Sequence, residues 1–142
     1  MSRMRHIVGA LALLAALVGS IGAGRAAELL MFKEDACPWC MLFEREVGRI
    51  YANTPEGKAA PLKRIDIDAI PEAYRHVGKV VYRPTFVLLD DERHVIGRIE
   101  GYPGFDFFWL RLGRMLKEME EHQARKAAHG QATPPKRPAR EG

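Results

Sequence analysis

Cys37 and Cys40 are the only cysteines in the chain, and the three-residue step between them constrains it more than any other feature. Two sulfurs cannot build a disulfide framework, and alone they cannot complete a tetrahedral zinc site. None of the five histidines stands at ligand spacing to the pair. A bridge across so few residues removes little entropy from the unfolded chain, which makes it a poor structural staple. The pair lies between a short apolar run, Glu28 to Phe32, and a stretch in which Phe43, Val47, Ile50 and Tyr51 recur at helical spacing. The pattern predicts a buried strand, then a helix from about Pro38 to Ala52, with the cysteines at the junction.

That position carries a chemical expectation. Pro38 suits the first helical position, where its missing N–H costs nothing, so Cys37 falls at the N-cap. There its sulfur meets unpaired backbone N–H groups and the positive end of the helix dipole, both of which favour the thiolate. Cys40 is expected one turn in and more shielded. Helical positions three apart hold their Cβ atoms about 5–6 Å apart, whereas a disulfide wants about 3.8 Å. A non-helical Cys37 lets the bridge close. The expected reaction is attack by Cys37 on a partner disulfide, then resolution of the mixed disulfide by Cys40. Copper or zinc capture by the same two thiols is the alternative, without a supporting His or Met motif beside them.

The remaining pattern predicts a loop over 53–61, a strand from Leu62 to Asp68, and a short helix opened by Pro71 with Ile70, Tyr74 and Val77 inward. Thr85 to Leu89 reads as a second buried strand, Asp90-Asp91-Glu92 as a turn, and His94 to Ile99 as its hairpin partner. Phe105, Phe108, Trp109, Leu112, Leu116 and Met119 mark an amphipathic last helix, with Phe107 left over on its outer side. His76, His94, Asp66 and Asp68 read as surface residues. The order of elements implies an α/β fold with a small mixed sheet of about four strands flanked by helices, its first two strands parallel and its last two antiparallel.

The 142 residues suffice for one domain. Residues 1–26 read as a secretory signal peptide: Arg3 and Arg5 precede an apolar run, and Gly24-Arg25-Ala26 supplies a small-residue cleavage site. Cleavage would leave no stable membrane anchor and would place the thiols in an oxidising compartment. Residues 27–121 form the expected domain, and 122–142 a basic, Pro- and Ala-rich mobile tail. The net charge of +4 resides in the two ends, since residues 27–122 carry 14 basic and 17 acidic groups. A nucleic-acid-binding core has no electrostatic support.

With Cys37-Pro38-Trp39-Cys40 after an apolar strand, and Tyr82-Arg83-Pro84-Thr85-Phe86 opening another, the chain resembles the thioredoxin superfamily from about Glu28 to Glu120. The resemblance implies a thioredoxin-like fold and a thiol–disulfide oxidoreductase needing no cofactor beyond its cysteine pair. It makes Pro84 a cis proline facing the disulfide, with Thr85 supporting it. The backbone of Arg83 would pair with the substrate chain, its guanidinium adding positive charge near Cys37, and Trp39 would pack on the partner. Met31 stands where thioredoxins carry a buried acid, and Ala36 where they carry a Trp. Glu34, Asp35 or water then remains to deprotonate Cys40. Within the superfamily the chain is similar to periplasmic SoxS-type thioredoxins of bacterial sulfur oxidation. That likeness implies a periplasmic reductant of a cysteine-bearing protein, supplied with electrons by a membrane thiol transporter. Disulfide-forming oxidants share the fold, and reduction potential separates the two.

Overall fold

The computed structural model describes residues 26–131, so the expected signal segment up to Arg25 and the chain beyond Gln131 lie outside the described residues. Four strands form one mixed sheet in the order β2-β1-β3-β4: β1 (Glu28–Lys33), β2 (Leu62–Asp66), β3 (Thr85–Leu89) and β4 (Val95–Glu100). β1 pairs with β2 in parallel and with β3 antiparallel, and β3 with β4 forms the hairpin. The expected thioredoxin-like order and pairings are all present.

Side chains alternate across a strand, so β1 and β3 feed two cores at once. Leu29, Met31, Phe86 and Leu88 face a cluster with Phe43, Val47, Phe108 and Leu112, while Leu30, Phe32, Val87 and Leu89 face one with Ile65, Tyr74 and Val77. Burial on both faces is why these strands read as unbroken apolar runs rather than alternating ones.

The helical run after the cysteines ends one residue short of the expected bound, and it is not uniform. α1 (Pro38–Phe43) passes into a π-helical stretch, Glu44–Gly48, then α2 (Arg49–Tyr51). Gly48 leaves room for the Glu44 carboxylate, which a Cβ there would meet at 2.0 Å. That carboxylate takes two hydrogen bonds from Arg64 of β2, clamping the helix to the sheet.

The stretch 53–61 is not a plain loop. It contains α3 (Pro55–Ala59), whose N-cap Thr54 accepts from the Gly57 N–H at 3.0 Å with Pro55 beginning the helix. The second strand stops at Asp66, because its carboxylate caps a 3-10 turn, Ile67–Ala69, by accepting from the Asp68 N–H. Residues Glu72–Val77 are 3-10 rather than α-helical, with Pro71 outside in extended conformation. Tyr74 and Val77 are buried and Ile70 packs beside them, as expected.

α4 (Phe105–Gln131) runs ten residues past Glu121, the expected end of the domain. Ala124, Lys126, Ala127 and Ala128 are strong helix formers that need no apolar stripe, and Lys126 pairs with Glu92 of the hairpin turn. At its start, Phe108 is buried and Phe107 exposed, as expected. Phe105, expected in the core, is exposed and meets Trp109 edge-on at 6.1 Å. Among the described residues, no helix is long and apolar enough to cross a membrane.

Candidate active site

The chain leaves β1 through a turn in which Ala36 takes a left-handed conformation, φ 58°, and this swings Cys37 to the helix start. Cys37 is the N-cap, extended at φ −79° and ψ 112°, with Pro38 at the first helical position. Its Sγ accepts a hydrogen bond from the Cys40 backbone N–H at 3.1 Å. Cys37 and Cys40 form a disulfide with their Cα atoms 5.2 Å apart. The expected difference in shielding is absent, because both residues are 5% exposed in this state. Met31 is fully buried in the same cluster as the pair and lines the cleft beside it, an apolar side chain with no group to ionise.

The Arg83–Pro84 peptide is cis. β1 and β3 bring this loop to the same end of the sheet as the cysteines, since Thr85 is in register with Phe32, four residues before Ala36. Thr85 is buried, and its hydroxyl donates to the Tyr82 carbonyl at 2.7 Å, closing the loop from below. Arg98 of β4 steadies the approach by donating to the carbonyls of Val77 and Lys79. The Pro84 carbonyl is occupied by the Gly101 N–H at 2.8 Å. Arg83 does not hold a free charge toward Cys37: its Nε lies 3.1 Å from the Glu34 carboxylate, and Nη1 donates to the Val81 carbonyl. Trp39 projects into solvent at 58% exposure, with Met41, Val81 and Tyr82 also exposed.

A cleft of about 610 Å³ flanks the disulfide. Glu34 and Asp35, two of the candidates for deprotonating Cys40, line it together with both cysteines. Met41, Arg45 and Arg49 line it too, and the sequence reading passed over them. Their signal was the four-residue step that carries each of them forward from Cys37. His94 and Asp90 serve elsewhere. Burial alone would raise the Asp90 carboxyl, but hydrogen bonds from the His94 backbone and ring and from the Glu92 N–H hold it below its ordinary range.

A disulfide of two helix-start cysteines three residues apart, on this sheet, defines a thiol–disulfide oxidoreductase. Comparison with solved structures agrees. The chain matches the periplasmic thioredoxin SoxS from Paracoccus pantotrophus at 38% identity over 65% of this chain and 97% of that one, with a TM-score of 0.58. It therefore belongs to the thioredoxin superfamily. A thioredoxin from Malassezia sympodialis matches at 19% identity over 65% of this chain and 76% of its own, TM-score 0.50. The malaria parasite's thioredoxin-2 matches at 18% over 68% and 90%, TM-score 0.52. Those two show the fold alone. No protein-family model matches the chain, and a search of curated proteins finds no match.

Proposed function

We propose that this chain is an exported reductant of a specific protein disulfide, with Cys37 as the attacking sulfur. The observation that carries the reading is the hydrogen bond from the Cys40 N–H to Cys37 Sγ at the helix N-terminus. In the reduced protein the same donor and the helix dipole favour negative charge on that sulfur. The Cys37 thiolate attacks one sulfur of the partner disulfide, a mixed disulfide forms, and the partner's other sulfur leaves as thiolate. Cys40, deprotonated by Glu34, Asp35 or water, then attacks Cys37 Sγ and releases the second partner thiolate. The partner gains two electrons, and the Cys37–Cys40 disulfide remains to be reduced again. The Arg83 backbone and Trp39 receive the partner chain beside Pro84, while Pro38 and Thr85 hold the two loops in shape.

The likeness to a periplasmic thioredoxin supports a periplasmic location, with residues 1–26 as the export signal, and a membrane thiol transporter as electron source. It also supports the cysteine-bearing carrier of the sulfur-oxidising Sox system as the partner. The deciding experiment is trapping in native periplasm: Cys40→Ser should accumulate a covalent complex with the partner, and Cys37→Ser none. Complexes formed equally by both variants would sink the assignment. A potential near −270 mV is expected for a reductant, and one near −120 mV would mark an oxidant.

A further inference from the structure

The cleft beside the disulfide has a charge pattern that the redox step does not use. Met41, Arg45 and Arg49 follow Cys37 at steps of four, and all four line the same cleft. Helical side chains lean toward the N-terminus, here toward the sulfur. With at most about 1.5 Å per residue, since the π-helical Glu44–Gly48 rises less, Arg45 and Arg49 are rooted no more than roughly 12 and 18 Å along the axis from Cys37.

Three acids line the same cleft, and each already has a cation. Glu44 is held by Arg64 through two hydrogen bonds, Glu34 by Arg83 at 3.1 Å, and Asp35 by Lys33 at 3.4 Å. Arg45 and Arg49 form no ion pair with an acid among the described residues. The cleft therefore offers two unspent positive charges on one side of the reactive pair, with the apolar Met41 between them and the sulfur.

We propose that the protein partner carries exposed carboxylates about three to six residues from its target cysteine, and that Arg45 and Arg49 recognise them. An extended chain advances about 3.3 Å per residue, so that spacing covers the distance from the sulfur to the two arginine roots. The inference rests on Cys37 being the attacking sulfur, and it adds which partners reach it. Complementary charge raises the rate of productive encounter and sets register more than it strengthens final binding.

The test uses synthetic peptides with one cysteine, capped as a disulfide with neutral 2-mercaptoethanol. Glu, Gln or Lys occupies positions three to six on one side or the other. In 20 mM buffer the ratio of kcat/KM between the best Glu peptide and its Gln counterpart should be about tenfold, carried by KM and shrinking in 0.5 M salt. In Arg45→Glu/Arg49→Glu the preference should pass to the Lys peptide. Equal rates for Glu and Gln peptides, or a Glu preference that survives the double substitution, would overturn the proposal. Cys37→Ser, run alongside, separates this failure from that of the redox assignment: if it still reduces the peptides, the attacking sulfur is misassigned, whatever the charge preference.

Discussion

Phe107 and Phe108 are chemically identical neighbours on α4, and the fold makes them opposite in consequence. Phe108 is 0% exposed, with its ring centroid 5.1 Å from Phe43 of α1, 5.0 Å from Phe86 of β3 and 5.4 Å from Trp109. Phe107 is 60% exposed. Truncating a buried Phe to Ala costs about 3–5 kcal/mol, from lost transfer energy and the cavity left behind. Aromatic neighbours put Phe108→Ala toward the upper part of that range. A domain of this size has about 5–15 kcal/mol in all, so the substitution removes a large share. At about 4–8 °C per kcal/mol, the melting temperature should fall by tens of degrees. Phe107→Ala should change stability by no more than about 0.5 kcal/mol. Urea unfolding of both variants, with the slope checked for constancy, measures the difference. Equal losses, or a loss below about 1.5 kcal/mol for Phe108→Ala, would refute this account of the core.

Gly57→Ala should destabilise by about 1–3 kcal/mol in urea unfolding, because the added methyl would lie 1.9 Å from the Tyr51 carbonyl oxygen and push α3 away. Thr54→Ala removes the α3 cap and should cost about 1 kcal/mol by the same measurement. Asp90 has a folded-state pKa below its ordinary 3.8, so its stabilisation is complete above that pH and lost as pH falls through the lower folded value. Asp90→Asn should cost about 1–2 kcal/mol near neutrality and weaken the acid dependence of the urea midpoint below about pH 4. Trp39→Ala should leave the unfolding free energy within about 0.5 kcal/mol while raising KM for a protein disulfide.

The readable part of this fold is the part governed by local pattern. Thr85 to Leu89 showed as a strand because both faces are covered, and the Cys-Pro-Trp-Cys junction announced its own cap. Thr54-Pro55 carried an equally local helix-start signal, but the Asn, Thr, Pro and Gly around it read as loop. The π-helical stretch begins at Glu44, whose partner Arg64 lies twenty residues away, a contact no local window contains. The site divides the same way. The cysteines and Pro84 were legible from motifs, whereas the state of each charge was not. Arg83 promised a cation for Cys37 until Glu34 was seen to hold it, and Arg45 and Arg49 stood out only once every neighbouring acid had a partner.

Among the described residues, the strand order also leaves two borders unpaired, at β2 and β4. On β2, Lys63 is paired with Glu28 and Arg64 with Glu44, so this border is lined with charged groups in ion pairs that an added strand would have to desolvate or break. Oxidoreductases that handle other proteins' unfolded or half-oxidised segments meet extended chain constantly. Here such a segment is discouraged from annealing onto the sheet, and the cysteine end stays the more accessible place for it to land.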